Sequence, residues 1–277
     1  MKTAGRTRRA MTDNATDEKA TGTQLLDRAV AILNHLGEIG RAGARVSDIA
    51  EVFGLNMSTA HRIITGLERH RYIERDEETK RYRLGLALFA LGAKAADTTG
   101  MRRVCHPALM RIAAETGDAV FLMARNGFNT VCVDRQDGGY RIDSLTGQVG
   151  GQIPLGVGPA SQAILAMLPA KEVEIILKAN RALYGRFNGL TVDQIKRELP
   201  VIRERRFAID DGRLVEGISA VAVPIILANG DVAGAIAINM TSARLQNRRV
   251  EDLVGILRRE IAEIEETINP HDLPVSG

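Results

Sequence analysis

Residues 54–73 read GLNMSTAHRIITGLERHRYI: a glycine, an asparagine placed to cap a helix, then hydroxyls, histidines and arginines set around a short apolar stripe. At roughly 100° per residue, Ala60, Ile63, Ile64 and Leu67 share one arc, which marks the side that packs inward. Ser58, Arg62, Thr65 and Arg69 share the opposite arc, with His61 at its flank. A solvated helix more often carries long Glu/Lys pairs, whereas short hydroxyls beside arginines allow close approach to phosphates and base edges. A DNA-facing helix and a merely solvated one both remain open at this level.

The residues on either side favour the first. Upstream, Leu25, Leu26, Ala29, Ile32, Leu33 and Leu36 recur at three- and four-residue steps, predicting an amphipathic helix that ends near Gly37. In VSDIAEVFG, residues 46–54, Ser47 is expected to cap a short helix, Asp48 and Glu51 to favour its N-terminal end and Gly54 to stop it. Two helices separated by a few residues around a glycine make a helix-turn-helix. Downstream, Tyr72 and Ile73, then Tyr82 and Leu84, flank a charged tip and predict a two-stranded wing. Lys80, Arg81 and Arg83 would face a DNA backbone, with the acidic run Asp76, Glu77 and Glu78 turned to solvent.

Charge distribution agrees. Residues 1–85 hold 15 Lys and Arg against 12 Asp and Glu, while residues 86–277 hold 22 against 22, so the net +3 of the chain lies wholly in its N-terminal third. A length of 277 residues implies two domains. No apolar run approaches the roughly 20 residues of a membrane span, and the polar start does not resemble a secretory signal. With only two cysteines, Cys105 and Cys132, a disulfide framework is excluded and a cytoplasmic location is expected.

Residues 84–97, LGLALFALGAKAAD, predict a linker helix apolar enough to bury two sides and to serve as a dimer contact. Beyond it come a helix over 101–116, β-rich runs in AVFLMAR and NTVCVDRQ, and a glycine-rich stretch around 145–168. Helices near 171–179 and 192–206 follow, then two strands joined at Asn229-Gly230, and a last helix over about 246–268. This order reads as an α/β domain with a mostly antiparallel sheet. The expected division is a disordered basic arm (1–22), a winged helix-turn-helix (23–85), a linker helix (86–98), an effector-binding domain (99–270) and a tail (271–277).

LLDRAVAIL, STAHRIITGLERHRYI, RYRLG, IPLGVGPASQAILA, RRFAIDDGRLVEGISAVAVPI and GDVAGAIAIN, in that order, resemble the IclR family of bacterial transcription regulators over nearly the whole chain. The resemblance implies an α+β protein with an N-terminal winged helix-turn-helix, a linker helix and a C-terminal GAF-like effector domain. It also implies palindromic double-stranded DNA operators and assembly as a dimer or tetramer, as a repressor or an activator. It makes residues 57–70 the recognition helix, with Ser58, Thr59, His61, Arg62 and Thr65 as contacts. Arg62 is the first choice, because a guanidinium can pair bidentately with guanine or clamp a phosphate. Arg69, Lys80 and Arg81 complete the DNA-binding candidates.

In GVGPASQAIL, Gly158 and Pro159 start a helix whose free N–H groups near Ala160 and Ser161 can hold a carboxylate. An ordinary capped helix is the alternative. By resemblance, Asp210, lying before a strand, and Ala220, Ala237 and Asn239 on the two strands after it would surround the effector. The family often has cysteine at the place of Ala220 and serine at those of Ala237 and Asn239, so the residues here favour a larger or partly apolar acid, aromatic for example, over a two- or three-carbon keto acid. Leu145, Leu155, Phe121 and Met123 are candidates for its apolar wall. No cofactor or metal is implied: there is no GxSxG, HExxH or phosphate-binding loop, and adjacent Cys105 and His106 diverge by about 100° on a helix. An enzyme fused to a DNA-binding domain and a ligand-independent architectural DNA binder are the rival readings.

Overall fold

The computed structural model describes residues 23–268 apart from 140, 141, 143, 144, 147 and 246, so the expected arm and tail lie outside the described residues. The chain divides into two compact units between Ala93 and Lys94.

The first unit contains α1 (Gln24–Ile39), one 3-10 turn (Gly40–Ala42), α2 (Val46–Val52), α3 (Met57–Arg69), and strands β1 (Ile73–Arg75) and β2 (Tyr82–Leu84). Helix α1 runs past its expected end at Gly37, since one glycine inside a helix costs only about 1 kcal/mol; it stops at Gly40, where φ is 54°. Ser47 is not the cap of α2. That helix begins two residues earlier than a Ser47 cap would place it, at Val46, with Arg45 at the capping position, and Asp48 Oδ2 accepts from the Arg45 N–H at 3.1 Å. Helix α3 starts as the sequence predicts, with Asn56 Oδ1 accepting from the Thr59 N–H at 2.8 Å. Its apolar arc, Ala60, Ile63, Ile64 and Leu67, is buried with Ile32, Leu36, Ile49 and Ile73 in the core of this unit. β1 and β2 pair antiparallel, and Ala44 bridges to Tyr82 at the wing's inner edge. Gly43 makes that approach possible: φ is 58°, and a Cβ there would lie 2.7 Å from the Tyr82 carbonyl oxygen.

Helix α4 (Leu86–Thr99) carries the chain from one unit into the other. Its start is tied to the residues just after α3, because the Gly85 N–H donates to the Tyr72 carbonyl at 2.8 Å and the Leu86 N–H donates to Glu74 Oε1 at 3.3 Å.

The second unit contains α5 (Met101–Thr116), β3 (Ala119–Asn126), β4 (Asn129–Gln136), β5 (Gln152–Pro154), α6 (Pro159–Met167), α7 (Ala170–Tyr184) and α8 (Val192–Arg205). β6 (Ala208–Val215), β7 (Ile218–Ile226), β8 (Val232–Thr241) and α9 (Asn247–Thr267) complete it. The strands form one antiparallel sheet in the order β5-β4-β3-β8-β7-β6. Two of these strands are not legible in the sequence. β5 is three residues long, and β6, AIDDGRLV, has a glycine and a register shift between Asp210 and Val215 that break any alternation. Asp210 lies within β6, opposite Ala220, and so before the Gly-Ile-Ser-Ala strand, β7.

Strand alternation and the register sort the side chains. Phe121 pairs with Ala237, Ala220 with Asn239, and Asp210 with Ala220, which puts these five residues on one face with Met123. The N-terminus of α6 covers that face, while α5 and α9 pack on the other. At Asn229-Gly230 the chain reverses through a turn in which the Gly230 N–H donates to the Leu227 carbonyl at 2.8 Å, with φ 87° at the glycine.

Candidate DNA-binding face and effector cavity

On α3, Ser58, His61, Arg62 and Arg69 are exposed and Thr59 and Thr65 half-buried, so the polar arc is open to solvent. Among the described residues, Arg62 and Arg69 have no hydrogen-bond or ion-pair partner, which leaves both guanidiniums free for an outside anion or base. Ser58 Oγ donates to Asn56 Oδ1 at 2.9 Å, and Thr65 Oγ1 lies 3.3 Å from His61 Nδ1. The wing differs from expectation. Arg81 donates to the Gly43 carbonyl at 2.8 Å and stands 3.7 Å from Asp48, so its charge ties the wing to the loop before α2. Arg83 pairs with Asp76 at 3.4 Å and Lys80 with Glu77 at 3.1 Å. Asp76 is therefore not simply turned to solvent; its Oδ1 also accepts from the Thr79 N–H at 2.8 Å.

In the second unit a cavity lies between the sheet and α6. It holds about 560 Å³ free of protein atoms, open solvent at its mouth included, and the centre of a water molecule can travel through about 60 Å³ of it. Because the larger figure includes open solvent, the enclosed space is small beside the usual small-molecule site, and it limits the guest to a compact one. Of the candidate effector residues, Leu145, Gly158, Ala160, Ser161, Asp210, Ala220, Ala237 and Asn239 line it, as do Phe121 and Met123. Leu155 does not: it is fully buried in the core, and its carbonyl accepts from the Tyr184 hydroxyl at 2.6 Å. Ile153, Val157, Thr146, Leu214, Val215 and Ile218 also line the space. Nothing in their local sequence distinguishes them from ordinary core.

Two polar features face this largely apolar space. One is the start of α6, where Gly158 has φ 78° and Pro159 occupies the first helical position, leaving the N–H groups of the first turn aimed outward. The Ser161 hydroxyl is not part of it. It accepts from the Gly156 N–H at 2.7 Å and from Thr130 Oγ1 at 2.9 Å and donates to the Pro154 carbonyl, so it fixes the loop that aims the helix. Gln162 Nε2 reinforces that loop by donating to the Gly156 carbonyl at 3.1 Å.

The other feature is Asp210, 6% exposed. Its Oδ2 accepts from the Leu214 N–H at 3.2 Å, whereas Oδ1 is buried with no hydrogen-bond partner among the described residues. Arg213 Nε stands 3.7 Å from Oδ1, close enough for attraction and too far for a hydrogen bond. Burial pushes the Asp210 carboxyl above its ordinary value, partly offset by the Leu214 N–H and by Arg213. Asn239, across β7 from Asp210, has a side-chain amide with no partner among the described residues.

The two thiols are poorly placed for chemistry. Both are buried; desolvation first, and then the Asp134 charge, push Cys105 up to about 12 and Cys132 up to about 11. His106 Nδ1 is paired instead with Asp134 Oδ2 at 2.7 Å. Among the described residues no group of three or more His, Cys, Asp or Glu side chains is placed to hold a metal, and no helix is long and apolar enough to cross a membrane.

Comparison with known proteins gives two family matches: an IclR helix-turn-helix domain over residues 25–77 and a bacterial transcriptional regulator IclR C-terminal domain over residues 93–265. The transcriptional repressor AllR of Klebsiella pneumoniae is 28% identical over 242 residues, 87% of this chain and 88% of that protein. The crystal structure of the Thermotoga maritima IclR is 28% identical, covers 87% of this chain and 97% of its own, and superposes with a TM-score of 0.66. An IclR homologue from Microbacterium hydrocarbonoxydans, crystallised in complex with 4-hydroxybenzoate, shares the fold at 22% identity and a TM-score of 0.72, covering 87% of this chain and 98% of its own.

Proposed function

The chain belongs to the IclR family of DNA-binding bacterial transcription regulators, and on that premise we propose that a small organic acid in the cavity between α6 and the sheet sets its affinity for a palindromic operator. The observation that carries this reading is the pairing of a helix N-terminus with the unpartnered Asp210 Oδ1 in one apolar cavity. A buried polar atom without a partner costs about 1–3 kcal/mol, and a guest bearing a hydrogen-bond donor recovers that loss. The effector is thus an acid whose carboxylate meets the N–H groups near Ala160 and whose hydroxyl or similar donor meets Asp210, with Asn239 able to serve either end. Ala220, Ala237, Phe121 and Met123 supply an apolar wall that suits an aromatic or other partly apolar body, as in the 4-hydroxybenzoate bound by one structural neighbour.

At the other end of the chain, the free Arg62 and Arg69, with Ser58, Thr59, His61 and Thr65 beside them, make α3 the groove-facing helix, and Lys80 lies at the wing tip. Arg81 contributes by holding the wing. On α4 the side chains of Leu86 and Phe89 are 72% and 73% exposed, which suits contact with a second copy and a dimeric or tetrameric regulator. A thermal-shift screen of hydroxylated and plain acids, 4-hydroxybenzoate and benzoate among them, tests the effector reading. A rise in melting temperature is expected for acids with a second, donating group and a smaller one for those without it. Equal shifts for both classes, or none for any acid, would refute the role given to Asp210.

A further inference from the structure

The effector cavity lies on one face of β3 and β8, and the start of α5 lies on the other face of the same two strands. Met123 and Ala237 line the cavity. Gly234, on β8 beside Met123, points the opposite way, and there a Cβ would overlap the Met101 Cε and lie 2.5 Å from the Met123 carbonyl oxygen. Met101 is the first residue of α5, follows Gly100 with its φ of 59°, and is 4% exposed. The missing side chain at Gly234 is thus a notch in the sheet, and the end of the Met101 side chain fills it. The notch abuts the backbone of a residue whose side chain forms the cavity wall.

We infer that Met101, seated in the Gly234 notch, is the positioning residue through which a filled cavity acts on the junction of α4 and α5. The inference rests on the reading of the cavity as the effector site. Strands β3 and β8 are joined by a continuous hydrogen-bonded register from Ala119 to Met123, so a guest that displaces Met123 or Ala237 displaces the notch as well. Close-packed interiors transmit such shifts instead of absorbing them. Gly100, in the left-handed region that suits glycine, is where the helical path breaks between α4 and α5. A shift of Met101 therefore reaches α4 at a point where the backbone can turn, whereas at its other end α4 is fixed by Gly85 and Glu74.

The test needs neither effector nor operator, so its outcome is independent of whether the right acid has been found. Ala237→Leu fills the cavity from within, and Ala220→Val is the milder alternative should the first fail to fold. Hydrogen exchange of the full chain is read by mass spectrometry over residues 86–105. The expected result is a several-fold change in exchange of that segment on filling the cavity, its loss when Met101→Ala is added, and its return with Met101→Leu, which restores the bulk of the side chain. A merely structural Met101 would change the exchange rate of the segment without changing its response to the cavity. An unchanged segment in every filled variant, or the same response with Met101→Ala present, would overturn the inference.

Discussion

Asp210 is the residue on which the reading of the cavity turns, and its titration gives a test that needs no ligand. Burial raises its native carboxyl above the ordinary 3.8. As pH rises from that value, the unfolded chain ionises first and stability falls; the loss levels off above the native value. Above its raised native value, the carboxyl holds an unfavourable buried charge in the folded protein. Asp210→Asn is expected to melt higher than the parent at pH 7, with the difference shrinking toward pH 4, and to lose the preference for acids bearing a donor. A lower melting temperature at pH 7 would mean that the groups favouring the carboxylate, the Leu214 and Gly212 N–H groups and Arg213, outweigh its burial. Arg62 offers the matching test on the DNA side: Arg62→Ala should weaken specific DNA binding by about 1–3 kcal/mol, read by gel shift at fixed salt, and an unchanged affinity would remove it from the contact set.

At the scale of elements, α3 is the best determined from sequence and α4 the most exposed. The Asn56 cap, the buried arc and the polar arc of α3 were all legible, because 3.6-residue periodicity and capping chemistry are local. Asn56→Ala should lower the stability of the DNA-binding unit by about 1 kcal/mol, measured by chemical denaturation. What the sequence hid depends on distant partners. The short β5 and the irregular β6 exist because β4 and β7 offer them ladders. The Ser161 hydroxyl is engaged by Thr130, Pro154 and Gly156, partners that only the fold brings to it. Likewise the bond from Arg81 to the Gly43 carbonyl, which ties the wing down, appears only once the fold brings the two together. The cavity was half legible: the candidate positions mostly line it, but that Leu155 stays in the core while Ile153, Leu214 and Val215 of β5 and β6 line the space follows from the fold alone. For α4, replacing Leu86 and Phe89 by Ser should shift the protein toward lower oligomers in sedimentation analysis. No shift would place self-association elsewhere.

Across the whole molecule, an acid can govern DNA binding only if it favours one arrangement of the chain over another, and the difference then appears as a coupling free energy shared by both ligands. The fold supplies a cavity holding Asp210 Oδ1 without a hydrogen-bond partner among the described residues, an open arginine face on α3, and a helix, α4, that carries the chain from one unit into the other and ends before Gly100 with its φ of 59°. The most direct measurement is a fluorescence-anisotropy titration of the full chain onto an operator selected from random duplexes, with and without an acid that raises its melting temperature. Regulation through the cavity predicts a change in Kd of about five- to 150-fold, abolished in Asp210→Asn. The same Kd with the acid bound would contradict it.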